Sequence, residues 1–508
     1  MTEFERFKDT HLKNDVRREK EHSEQLYKLN INFQSEVIQA IQQLRSELDL
    51  SRNLSSNLDD SNLLCLKDSD VKFSSLRDCQ SDNKMALLYC WIVVCIIGLV
   101  ETNPICTDIS FEQVSCVPGN YSQVVLRKGI VSENNLTKLI SLSSCRISDV
   151  DFESFDGVPA LLELDLSQNI ITYLQLGVLD EFKQLTHLNL SHNYIRNFPL
   201  GLFDQKPNLI SLDLGSNKLK TLELGIFDPL TKLEYLDISW NSLIGSDISP
   251  YIFDLNRRIK TLKLSGNNMN EAKDIFLHSL TMLQVLALED CKLDVFPPFA
   301  LKGSMKKLLR LDLSLNKIRE ISNDLSFNNL TSLISLHLTS NDIVDIGENV
   351  FKPLKKIKVL VFRNNRIKDI PDTLFQNIPV TFVDLANNKI EYLPVNAFRG
   401  TKLRNFNIAS NRITYLQDNF CLELRNSGAA LTKFYFNDNP WQCACLRDIL
   451  NEVKKFGVTY NDKKYDGKHP VCVVPDDFVC HRHLQYNEKC ISESYSVRYH
   501  TPKVESCK

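Results

Sequence analysis

The sequence predicts an α/β, β-rich solenoid, a right-handed coil of short repeats with parallel strands on its concave face, disulfide-capped ends and a short helical N-terminal extension. Three observations carry this expectation. Asparagine stands at 169, 193, 217, 241, 267, 316, 341, 365, 388, 411 and 439, with cysteine in the same slot at 145 and 291. Apolar residues precede the slots at fixed offsets, as Leu161, Leu164 and Leu166 precede Asn169 and Leu308, Leu311 and Leu313 precede Asn316. Other cysteines gather at the two ends of the array.

The pattern is L-x-x-L-x-L-x-x-N/C-x-L, the signature of leucine-rich repeats, here in thirteen units of which the first and last are atypical. Each unit gives one short strand, turns, and returns along a convex side. A single unit cannot bury its leucines, so neighbours must stack. The asparagine amide carries donors and an acceptor, which suits it to backbone groups left bare where the chain turns. Cysteine fits the slot but bonds weakly, so Cys145 and Cys291 are expected to be inert core thiols. Phe155, Phe203, Phe227, Phe351, Phe375 and Phe398 follow their slots at similar distances and predict a stacked aromatic column under the convex side.

Cys106 and Cys116 stand just before the array and are expected to close an N-terminal cap. Cys443, Cys445, Cys472, Cys480, Cys490 and Cys507 follow it. Stapled ends fit an oxidising compartment. Cys443-x-Cys445 with Cys472 reads as a disulfide set rather than a zinc site, because the usual Cys-x-x-Cys or Cys/His spacing is missing. The stretch Asn437-Asp438-Asn439-Pro440-Trp441-Gln442-Cys443-Ala444-Cys445-Leu446 resembles the C-terminal cysteine-rich cap of extracellular leucine-rich repeat proteins, whose hallmark is N-P-W-x-C-x-C. With the repeats, the resemblance covers about residues 106–508 and extends to insect secreted and cell-surface repeat proteins, including mosquito immune members and Toll-type receptor ectodomains. It implies pairing of Cys443 with Cys472 and of Cys445 with Cys490, and leaves Cys480 and Cys507 as additions to the usual four.

Cys421 completes a set of seven cysteines that cannot all pair within one chain. Cys507, next to the last residue, is the candidate for a bridge between chains and hence for a disulfide-linked dimer. Paired internally, it would take Cys480.

The domain reading follows. Residues 1–84 form a polar, partly helical extension, either a short coiled coil seamed by Leu26, Phe33, Val37, Ala40 and Leu44 or a solvated amphipathic helix, or else an upstream extension of the gene model before Met85. Residues 85–101 hold the uncharged run 86–100, which serves as a signal peptide or as a type II signal anchor giving membrane attachment. An N-terminal cap occupies 102–135, the repeats 136–439, and the cysteine-rich cap and tail 440–508. Either reading of the apolar run places the repeats outside the cytoplasm. No second hydrophobic stretch follows residue 101, which favours a soluble or co-receptor role over direct signalling.

Function is expected in a surface. The chain carries 60 basic and 63 acidic residues, net charge -3, with no basic patch for nucleic acid. Protease, hydrolase and nucleotide-binding motifs are missing, so a non-enzymatic protein with no cofactor and no metal is expected. In each strand the positions six, four and two before the slot face outward. Val359, Val361 and Phe382, with Arg363 and Ala386 beside them, predict an apolar contact patch for a protein ligand or co-receptor. The alternative is that a cap or loop covers them. Adhesion or a structural matrix role is the competing function. Asn120, Asn135, Asn189 and Asn329 open N-x-Ser/Thr glycosylation sequons, Asn189 on the concave face.

Overall fold

The computed structural model describes residues 104–119, 123–132, 134–322, 327–465, 471–473 and 479–482, and the backbone of 499–500. The N-terminal extension, the apolar run 86–100, Asn120, Cys490 and Cys507 lie outside the described residues.

Each of the thirteen units supplies one three-residue strand, from Leu139–Ser141 to Lys433–Tyr435. They pair in parallel and in register, so that Leu164, Leu188 and Leu212 are successive partners. Two strands precede them in the same sheet, β1 (Ile105–Ser110) and β2 (Gln113–Val117), which form an antiparallel hairpin closed by the Cys106–Cys116 disulfide. β2 pairs in parallel with Leu139–Ser141, giving one sheet of 15 strands. Side chains alternate as a strand requires. Leu164 points into the core while Glu163 is exposed and Asp165 half-buried.

The asparagine slots explain how the turns stay in register. In Asn169, Nδ2 donates to the Leu142 carbonyl of the preceding turn at 2.9 Å and to Leu166 of its own turn at 2.9 Å, while Oδ1 accepts the Ile147 N–H at 3.0 Å. The same three partners recur one unit later at Asn193, with Leu166, Leu190 and Ile171. They recur again at Asn365, with Leu338, Phe362 and Ile343. Each buried amide therefore satisfies backbone groups on two turns at once. Cys291 reproduces only the donor half, with Sγ 3.4 Å from the Leu264 carbonyl, and its own N–H leans on Asn316 of the next turn. Burial raises the thiols of Cys145 and Cys291 to about 12, as expected of core cysteines.

One regularity was not anticipated. The residue just before every slot has positive φ, from Ser144 through Gln168, His192, Ser216 and Trp240 to Asp438, with Gly266 the single glycine among them. This left-handed residue turns the chain off the strand and lets the following amide point inward.

The phenylalanine column forms and is longer than predicted. Phe227, Phe253, Phe276 and Phe299 succeed one another with ring centroids 5.8–6.0 Å apart, and Phe327, Phe351, Phe375 and Phe398 continue the column. Lys206 is fully buried at a position where the following unit has Leu230, and among the described residues its Nζ reaches only the Gln205 carbonyl, at 3.2 Å. Burial lowers its pKa to about 8.

Two helices shape the C-terminal end, α1 (Phe420–Asn426) and α2 (Cys443–Lys455). Trp441 is fully buried and donates its indole N–H to the Phe436 carbonyl at 2.8 Å, which closes the aromatic column. Cys443 bonds Cys472, so these sulfurs are disulfides and not zinc ligands. The expected Cys445–Cys490 pair is replaced by Cys445–Cys480. The reason is local. Gln442 holds both the N–H and the carbonyl of His481 at 2.8 Å, and Arg482 binds Asp448 at 2.6 Å, which seats Cys480 on α2. Cys421 is buried in α1, where its N–H donates to Glu452 at 2.7 Å. Among the described residues no helix is long and apolar enough to cross a membrane.

Candidate functional site

The outward rows of the sheet hold the candidate binding residues. The expected apolar patch is smaller than the sequence implied. Val359 and Phe382 are cross-strand partners and half-buried. Val361 is only 9 % exposed and Ala386 only 1 %, so neither forms part of an open surface. Adjacent strands stand about 4.8 Å apart, and small side chains in such a row are covered by their neighbours. Val361 lies beside Asp384, whose Oδ1 accepts the Ala386 N–H at 2.9 Å. Burial raises the pKa of Asp384, while this hydrogen bond and exposed Arg363, 3.8 Å away, oppose the rise.

A better-formed concavity lies earlier in the array. A depression of about 580 Å³ opens across five consecutive turns, from Ser191 and His192 to Ala287 and Glu289. Within it Lys263 Nζ donates to the Tyr235 hydroxyl at 2.7 Å and pairs with Asp237 Oδ2 at 2.9 Å. The Tyr235 hydroxyl donates in turn to Asp237 at 3.2 Å. The backbone N–H of Ser239, at 3.0 Å, and its hydroxyl fill the other oxygen of Asp237. Asp237 is therefore a saturated anchor, and the register of the sheet sets Asp213 beside it.

Burial works against the charge on Lys263, but its bonds to Tyr235 and Asp237 hold its pKa above the ordinary lysine value. Burial raises the carboxyls of Asp213 and Glu289, with help from Asp237 and from Asp312 and Asp290 respectively. Trp240 forms part of the wall. It occupies the left-handed position before its slot and is 49 % exposed. Sequence reasoning passed over it, although a large aromatic where neighbouring units carry Gln, His, Ser and Gly was a visible signal.

Residues 134–195 and 191–243 match a family model described as leucine rich repeat, and residues 298–427 match one described as a BspA type leucine rich repeat region. The matched segments of the chain are leucine-rich repeats. Over 125 residues it is 31% identical to mouse epiphycan, covering 24% of this chain and 35% of that protein. Chicken lumican is 31% identical over 136 residues, covering 27% and 38% of the two chains. Human Toll-like receptor 8 is 27% identical over 122 residues, 23% of this chain and 12% of the receptor. The matches thus span well under half the length of each of these relatives.

Among solved structures, a Leptospira interrogans leucine-rich repeat protein superposes with a TM-score of 0.56 at 23% identity, over 65% of this chain and 80% of that one. A chain of the Drosophila Toll–Spatzle complex gives 0.52 at 21% identity, over 73% and 53%. At these identities the likeness shows the shared solenoid fold.

A leucine-rich repeat array of this kind offers a rigid face on which side chains from many turns act together. In the groove the aromatic, carboxylate and ammonium groups fall within five turns, and tryptophan is among the types that dominate protein–protein contact energies. Among the described residues no group of three His, Cys, Asp or Glu side chains is arranged to hold a metal ion.

Proposed function

We propose that this leucine-rich repeat protein acts outside the cell as a non-catalytic recognition module, binding a protein ligand or co-receptor in innate immunity or cell-surface signalling through its concave sheet face. The observation that carries the reading is half-exposed Trp240 in the wall of a groove also lined by Asp237 and Lys263, whose ammonium is fixed by Tyr235. A tryptophan held by its backbone loses little freedom on binding, and the fixed charges around it set register. Val359, Phe382 and Arg363 lie further along the same sheet and extend the contact for a long ligand. Three disulfides support the extracellular placement. Trp240→Ala should weaken binding to a panel of secreted and cell-surface ectodomains at least tenfold, about 1.4 kcal/mol. Binding equal to wild type would remove the groove from the reading.

Two further parts of the proposal are separable. Glycans are proposed at exposed Asn135 and at Asn189 on the sheet face. Asn329 is a poorer acceptor, because its Nδ2 is already given to the Leu301 carbonyl at 2.8 Å. A dimer linked through Cys507 competes with an internal Cys490–Cys507 bond, since Cys480 is taken by Cys445 and Cys421 is buried. Non-reducing electrophoresis of Cys507→Ser against wild type separates the two, and a monomer band for both excludes the dimer.

A further inference from the structure

One edge of the solenoid carries an apolar ladder that the core does not use. Phe152, Leu176, Leu200 and Leu224 occupy the same position in four consecutive turns, and each is between 55 and 60 % exposed. They are ordered by contact with the next turn. A Cβ on Gly177 would stand 2.7 Å from the Phe152 ring, one on Gly201 3.4 Å from Leu176, and one on Gly225 3.9 Å from Leu200. These three glycines have φ between +87 and +96° and so carry each side chain onto the bare backbone of its neighbour. The ladder stops at the next unit, where Ile248 takes the position and is buried.

A second row runs alongside. The carbonyls of Gly177, Gly201 and Gly225 accept the N–H of Asp180, Asp204 and Asp228 at 2.9–3.0 Å, so one turn sets both rows. Across the segments 151–156, 175–180, 199–204 and 223–228 there is no Lys or Arg, while Asp occurs in every segment and Glu153 and Glu223 add to the first and last. Lys128, which pairs with Asp156 at 2.8 Å, brings a base to the first turn only.

We infer that this edge is a second docking surface, and that its occupant is a basic amphipathic helix of a partner protein. Four aligned apolar groups match the stripe of a helix whose side chains recur every turn, about 5.4 Å. The flanking carboxylates call for Lys or Arg on either side of that stripe. The same carboxylates disfavour a second copy of the chain, because an isologous contact would face acid with acid. They also disfavour an anionic membrane.

The probe is a fluorescent leucine–lysine peptide of about 14 residues, roughly four helical turns, with a leucine–glutamate peptide as its counterpart. Anisotropy should show binding of the lysine peptide to the intact secreted protein, weakening as salt rises. Binding should fall at least tenfold in the triple variant Leu176→Ser, Leu200→Ser, Leu224→Ser, and also in Asp180→Asn, Asp204→Asn, Asp228→Asn. It should persist in Trp240→Ala, which separates this surface from the sheet-face groove. Hydrogen exchange should show protection confined to 150–157, 174–181, 198–205 and 222–229. The inference is overturned if the lysine peptide does not bind, if the glutamate peptide binds as well, or if the leucine variant binds undiminished. It is equally overturned if those leucines instead prove to mediate self-association in sedimentation or adsorption to phosphatidylcholine vesicles.

Discussion

The indole of Trp240 lies over the backbone of Gly266, one turn away in the stack. A Cβ at 266 would stand 2.4 Å from Trp240 Cε3 and 3.0 Å from its Cα. The groove therefore depends on a missing side chain. Gly266→Ala should push the indole outward and place alanine at φ +72°, lowering stability by about 1–2 kcal/mol. Of the other two tryptophans, Trp441 is fully buried and Trp91 stands in the run 86–100, far in sequence from the substitution, so an increase in acrylamide quenching over wild type would report the displacement of Trp240. Unchanged quenching would show that the wall does not rest on Gly266.

The amide column predicts a graded response to substitution. Asn341 Nδ2 donates to the Leu313 carbonyl at 2.9 Å, and its Oδ1 accepts the Ile318 N–H at 3.1 Å. Asn341→Ala leaves the Ile318 N–H unpaired, at about 1–3 kcal/mol, and takes one of two donors from the Leu313 carbonyl, which keeps Asn316 Nδ2 at 3.0 Å. Asn341→Cys should cost less, because Cys291 shows that a thiol can serve the carbonyl of the preceding turn. Urea denaturation of the pair would check the order, and equal midpoints would contradict it.

Lys206 gives a pH dependence with a definite sign. Its folded-state pKa is lowered to about 8 from 10.5, chiefly by burial. Between those values the unfolded chain binds more protons than the folded one, so stability rises with pH across that window. Below pH 8 the whole penalty is present. Lys206→Met should therefore stabilise the protein at pH 7 by up to about 3 kcal/mol, with the advantage shrinking towards pH 10.5. Melting curves at pH 7 and pH 9.5 would test this, and an advantage that did not shrink would contradict it.

These cases show what the sequence could and could not reveal. Periodicity exposed the strands, the amide slots and half the aromatic column, because each repeats in one residue type. The buried lysine broke the pattern at a position where any apolar residue would have been read as core. Trp240 was passed over because the left-handed position before the slot tolerates many residue types and so leaves no signature. The covered state of Val361 and Ala386 depends on crowding between strands, which alternation does not report. The Cys445–Cys480 bond depends on Gln442 and Arg482 seating a segment that the motif does not contain.

The central claim is that the sheet face around the groove recognises protein. A single substitution can block it, since Lys263→Asn creates the glycosylation sequon Asn-Leu-Ser with Leu264 and Ser265. Lys302→Asn creates the sequon Asn-Gly-Ser with Gly303 and Ser304 on the return segment outside the sheet. Both variants should be secreted with one added glycan, and their binding to the ectodomain panel should then be measured beside wild type. The account predicts that the glycan at 263 abolishes binding and the glycan at 302 leaves it intact. Equal binding by both glycosylated proteins, or loss only with the glycan at 302, would contradict it.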